Sequence, residues 1–104
     1  MSFYQKHIFV CTNQKELGKK CCQDAQAKDF FHYIKQRLHD QDLTGPGKIR
    51  VSQSGCLGRC SEGPCLVVYP EAVWYTYHTH SDIDETIDSQ VLKNIQVKRL
   101  ILPL

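Results

Sequence analysis

The apolar residues near the start of the chain gather into one short run, KHIFVC at Lys6–Cys11, rich in β-branched and aromatic side chains. It predicts a buried strand that ends in a cysteine. The polar stretch TNQKELGKK that follows contains Gly18 and predicts a loop. From Ala25 to Asp40 the period changes. Ala27, Phe30, Phe31, Ile34 and Leu38 recur at spacings of three and four, as on one face of a helix, while Lys28, His32, Lys35 and Gln36 lie on the opposite face. TGPG at Thr44–Gly47 breaks the helix and turns the chain. KIRVSQ then alternates, with Ile49 and Val51 on one side and Arg50 and Ser52 on the other, which predicts a strand with one face toward the core. CLVVYP and AVWYTYH are two more strand-like runs, joined closely enough through Pro70 and Glu71 to form a hairpin.

The last long segment, SDIDETIDSQVLKN, opens with a capping signature, Ser81 followed three residues on by Asp84. Ile83, Ile87, Val91 and Leu92 then form a helical stripe. Acidic residues at its start and Lys93 near its end suit the helix dipole. The apolar tail VKRLILPL is expected as an edge strand or a packed extension. The order is therefore βαβββα. With a right-handed crossover between the first two strands and a hairpin after them, it predicts an α/β, thioredoxin-like mixed sheet of about four strands with two flanking helices.

Composition narrows the function without naming it. The 104 residues suit one domain, 1–104, and the 41% hydrophobic and 23% charged shares are those of an ordinary globular protein. The net charge of +2 comes from scattered lysines and arginines, not from the basic face or stripe that nucleic-acid binding requires. Trp74, Tyr75 and Tyr77 are accordingly expected to pack in the sheet and not to stack bases. MSFYQKHIFVC resembles neither a secretory signal nor a membrane span, so the expected location is cytoplasmic, with no membrane partner.

Six cysteines change the picture. In a reducing cytosol they point to metal or redox chemistry before disulfides, and six in 104 is below the density of a disulfide scaffold. Cys11 ends the first strand, Cys21 and Cys22 precede the first helix, and Cys56, Cys60 and Cys65 lie within SGCLGRCSEGPC at Ser54–Cys65. If the first two strands are parallel neighbours, both cysteine-bearing loops leave the same end of the sheet. Convergent thiolates without a nearby histidine suit zinc or an iron–sulfur cluster. Structural zinc prefers two tight knuckles, whereas nine or ten residues separate Cys11 from Cys21 or Cys22. An iron–sulfur cluster needs hydrogen-bond donors close to its sulfurs, and backbone N–H groups beside Gly55, Gly58 and Gly63 can approach without an intervening side chain.

The stretches HIFVCTN, KKCCQDAQAKDFFHYIKQRL and VSQSGCLGRCSEGPCLVVYPEAVWY resemble the thioredoxin-like 2Fe-2S ferredoxins. The similarity runs from about His7 to the second helix. It implies a one-electron carrier, not an enzyme, with one 2Fe-2S cluster per chain, a homodimeric assembly and redox partner proteins. It also implies four cysteine ligands, which become Cys11, Cys22, Cys56 and Cys60. Cys22 is taken over its neighbour Cys21, the alternative, because counting forward from it sets Phe30, Tyr33 and Lys35 where the family's helix has comparable residues. Cys65 departs from the family, standing where a small or β-branched residue is usual; it is expected as a small buried hydrophobe at a strand start, with a substitute ligand or redox-active thiol as the alternative. His78 and His80 are expected at the surface. Two other functional classes compete with the electron carrier. A dithiol oxidoreductase is disfavoured by the lack of a C-x-x-C motif, and a zinc-stabilised binding module by the ligand spacing.

Overall fold

The computed structural model describes residues 4–12, 27–54 and 64–102. Its elements are β1 (Lys6–Cys11), α1 (Ala27–Asp40), β2 (Ile49–Ser54), β3 (Cys65–Tyr69), β4 (Val73–Thr76) and α2 (His80–Thr86), which runs on into a π-helical turn, Ile87–Val91. The strands form one sheet in the order β2-β1-β3-β4. β1 pairs with β2 in parallel and with β3 antiparallel, and β3 pairs antiparallel with β4, so the sheet is mixed as expected. The elements expected from periodicity are all present. Ala25, where α1 was expected to begin, lies outside the described residues.

Alternation explains which side chains meet. Ile8 and Val10 of β1, Ile49 and Val51 of β2, and Leu66 and Val68 of β3 form one core with Phe31, Ile34 and Leu38 of α1 and with Ile83, Ile87 and Val91 beyond β4. Both helices thus pack on the same face of the sheet. β3, an interior strand, is buried from Cys65 to Val68 and turns exposed only at Tyr69. The hairpin turns through a cis Tyr69–Pro70 bond, and Ala72 takes a positive φ of 57°. A polar network is built into this core: the Tyr75 hydroxyl donates to Gln90 Oε1 at 2.7 Å and accepts from the Val97 N–H at 3.0 Å. Burial raises the Tyr75 pKa, so the phenol keeps its proton.

Three sequence expectations change. The α2 cap is Thr79 with Asp82, not Ser81 with Asp84. The Thr79 hydroxyl accepts from the Asp82 N–H at 3.1 Å, and the Asp82 carboxylate accepts from the N–H groups of Thr79 and His78 at 3.2 and 2.9 Å. Both pairs have the three-residue spacing, but β4 ends at Thr76 and the extended backbone of Thr79 leads straight into the first turn. Asp84 instead accepts from Tyr33 Oη at 2.7 Å and from Arg37 Nη1 at 3.0 Å, clasping α2 to α1. Second, Leu92 leaves the buried stripe and is 42% exposed. The wider π turn keeps Ile87 and Val91, four residues apart, on the inner line, and Leu92, one residue further on, lies beside that line and is exposed. Third, β4 stops short of His78, and His80 belongs to the first turn of α2, although both histidines are exposed as expected.

The tail acts as an edge cover. The Thr76 N–H donates to the Leu100 carbonyl at 2.9 Å and the Leu102 N–H to the Trp74 carbonyl at 2.8 Å, with Ile101 bridged to Tyr75. These bonds occupy backbone groups on the outer edge of β4.

Candidate metal centre

The parallel register of β1 and β2 positions the site. It sets Cys11, the last residue of β1, beside Ser54, the last residue of β2. The pairing continues past both ends, where the Thr12 N–H donates to the Ser54 carbonyl at 3.2 Å and Thr12 Oγ1 meets Gln53 Oε1 at 3.2 Å. Ser54 is followed directly by Gly55 and Cys56 in the chain. The point where the chain leaves β1 and the point where it leaves β2 are therefore tied together.

The return points lie at the same end. Cys11, Ala27 and Cys65 make one small buried cluster, each with no exposed surface, against which Trp74 and Leu102 pack. Ala27 is the first described residue after the segment carrying Cys21 and Cys22, and Pro64, buried next to Cys65, is the first after the segment carrying Cys56 and Cys60. Each cysteine-bearing segment thus both leaves and re-enters the fold at one pole of the sheet. Cys21, Cys22, Cys56 and Cys60 themselves lie outside the described residues. Among the described residues, no group of three or more His, Cys, Asp or Glu side chains is placed to hold a metal ion. Of the proposed ligands only Cys11 is described.

The residues at this pole fit a sulfur-ligated cluster better than a hydrated cation. Its described wall is two thiols, an alanine, an indole and a leucine, an apolar lining that keeps the local dielectric low. On β1, Phe9 and His7 precede Cys11 at alternate positions; their rings stack at 4.1 Å, and the His7 ring hydrogen-bonds Ser52 Oγ at 2.9 Å. Burial, and then the nearby Arg50 charge, lower the His7 pKa, so this ring is neutral near pH 7. His80 is engaged elsewhere, stacked on Tyr33 at 4.2 Å.

Cys65 is buried at the start of β3, as its packing role requires. Ala27, Trp74 and Leu102 were not anticipated as neighbours of Cys11. A period-two argument finds one of them: Trp74 pairs with Val67, two residues along β3 from Cys65, and so shares its face. The position of Leu102 depends on how the tail docks and has no local signal.

No family model matches the chain. A 2Fe-2S ferredoxin of Clostridium pasteurianum is 38% identical over 96 residues, which covers 90% of this chain and 92% of that protein. A 2Fe-2S ferredoxin of Aquifex aeolicus (strain VF5) is 30% identical over 100 residues, covering 93% of this chain and 88% of the relative. Among solved structures, the wild-type thioredoxin-like [2Fe-2S] ferredoxin of Aquifex aeolicus matches with a TM-score of 0.81 at 26% identity, over 95% of this chain and 97% of the other. A further structure of a thioredoxin-like [2Fe-2S] ferredoxin from that organism matches with a TM-score of 0.83, also at 26% identity, over 94% and 90%.

Proposed function

The chain belongs to the thioredoxin-like 2Fe-2S ferredoxins, and from that membership we propose that it carries single electrons on a 2Fe-2S cluster held by Cys11, Cys22, Cys56 and Cys60. The observation that supports this ligand set is the common pole: Cys11 is paired with Ser54 two residues before Cys56, and the Cys11–Ala27–Cys65 cluster pins the return of both cysteine-bearing segments. When bound, the cluster supplies reversible one-electron storage between two ferric ions and a mixed-valence pair. The protein's part is to fix the thiolates, to keep water from the inner side of the site with Trp74, Leu102 and Ala27, and to hold its shape between the two charge states. Rigidity follows from position, since Cys11 belongs to an interior strand and has neighbours on both sides.

The carrier works as a homodimer in the cytoplasm and docks briefly to redox partner proteins, a transient contact of small area. Among the described residues, no helix is long and apolar enough to cross a membrane. The deciding measurement is the visible spectrum of the purified protein with iron and acid-labile sulfide analysis. A red-brown protein with two irons and two sulfides per chain, giving on reduction a paramagnetic signal from one unpaired electron, is the expected result. Zinc as the sole metal, without labile sulfide, overturns the proposal in favour of a zinc-stabilised module. Light scattering at micromolar concentration tests the assembly, and a monomer there rejects the dimer.

A further inference from the structure

Cys65 has no task in the ligand set, yet its placement is specific. β1 and β3 are antiparallel with Ile8 opposite Val68, Phe9 opposite Val67 and Val10 opposite Leu66. Continuing that register by one residue sets Cys65 opposite Cys11. Directly opposed residues on antiparallel strands have Cα atoms about 4.5 or 5.5 Å apart and side chains on the same face. Both spacings fall inside the roughly 4.4–6.8 Å range of disulfides. The two cysteines are 0% exposed and share one buried cluster with Ala27, walled by Trp74 and Leu102. A reagent of any bulk is therefore kept from both thiols, whereas each has the other at hand.

We propose that when peroxide destroys the cluster, Cys11 forms a disulfide with Cys65, which stores this ligand in a form that thiols can reduce. The inference rests on Cys11 being a cluster ligand. Hydrogen peroxide is the oxidant, small enough to enter where larger oxidants are excluded. The Cys11 thiolate attacks one peroxide oxygen; an S–O bond forms, the O–O bond breaks, and hydroxide leaves and is protonated to water. The Cys65 sulfur then attacks the Cys11 sulfur; the S–S bond forms, the S–O bond breaks, and a second water leaves with the Cys65 proton. In sum, two thiols and one peroxide give one disulfide and two waters, with peroxide reduced by two electrons. Without Cys65 beside it, the sulfenic acid on Cys11 meets more peroxide and goes on to sulfinic acid, which thiols do not reduce. An alanine at the same strand position removes the sulfur, and a valine replaces it with two methyl groups that suit a strand.

The test uses full-length holoprotein. Peroxide is added until the visible bands are lost, remaining thiols are alkylated, and a protease digest is mapped by mass spectrometry. A Cys11–Cys65 cross-linked peptide is expected as the main disulfide of Cys11. Reduction with dithiothreitol followed by iron and sulfide should restore most of the colour. Cys65→Val and Cys65→Ala are each scored against their own visible spectrum before treatment. After treatment they should carry Cys11 with two or three added oxygens and recover several-fold less colour. The proposal is overturned if Cys11 is linked chiefly to Cys21, Cys22, Cys56 or Cys60, or if Cys65 is recovered alkylated while Cys11 is oxidised. A protein colourless from the outset defeats the cluster assignment alone, because the peptide map still reports whether the two thiols join.

Discussion

The helix-covered face of the sheet and the cysteine pole are built on the same strands by different rules. Under the helices, Ile8, Val10, Ile34, Leu66, Val68, Ile83 and Ile87 fill the space between α1, α2 and the sheet with branched apolar side chains, and stability comes from their burial. At the pole, Cys11, Ala27 and Cys65 are equally buried but small, and only Trp74 and Leu102 give bulk. Small side chains gain little from burial and cost little to hold in one rotamer. The contrast teaches that burial under the helices carries the stability, while the pole of the proposed cluster adds little to it. Removing a ligand and removing a core side chain should therefore have separable consequences.

The largest effect expected is at the pole. Cys11→Ala, Cys56→Ala and Cys60→Ala should each reduce bound iron and visible absorption to near background, because an all-cysteine cluster needs every thiolate. Cys22→Ala should be damaging and Cys21→Ala mild, and the double replacement of Cys21 and Cys22 should leave no cluster. A normal spectrum from the double variant would show that the second ligand comes from elsewhere.

On the helix side, Ile34→Ala should lower stability by about 2–5 kcal/mol in urea unfolding, as large-to-small core changes do. The iron content per folded chain should stay the same. Folded Ile34→Ala protein that binds less iron per chain than wild type would break the separation of the two regions. Tyr75→Phe should cost about 1–3 kcal/mol, since it removes the hydroxyl that joins Gln90 to the Val97 N–H inside the core.

The smallest effect concerns the α2 cap. Asp82→Ala should cost about 0.5–2 kcal/mol, the range for lost caps. Burial alone would raise the Asp82 pKa, but the His78 N–H, the Arg99 guanidinium and the Thr79 N–H together outweigh it and hold the carboxyl below its usual value. Its contribution is then fully present above the ordinary carboxylate pKa and is lost as the pH falls through the lowered one. Wild-type and Asp82→Ala stabilities, measured by unfolding at successively lower pH, should converge on acidification. A gap that stays constant would assign the effect to packing and not to the ionised carboxylate.

Much of this molecule was legible without coordinates because its elements follow local periods. Short apolar runs marked β1, β3 and β4, alternation marked β2 and period 3.6 marked α1, since a strand or helix with one buried face repeats its apolar residues accordingly and a strand buried on both faces is apolar throughout. The six cysteines and their glycine-flanked loop pointed to metal or redox chemistry, while the particular set Cys11, Cys22, Cys56 and Cys60 was what the family resemblance implied. Tertiary structure decided what depends on partners far along the chain. Two capping pairs with identical spacing overlapped, and the end of β4 selected Thr79 with Asp82, freeing Asp84 to bind Tyr33 and Arg37 across the helix interface. The π turn that keeps Val91 in line with Ile87 has no periodic signature of its own. The tail found its place through the unpaired edge of β4 and the core behind it, where Val97 and Leu100 are buried. The meeting of Cys11 and Cys65 is the clearest case: they lie 54 positions apart, and only the β1–β3 pairing, which sets Val10 opposite Leu66, brings them into one buried cluster.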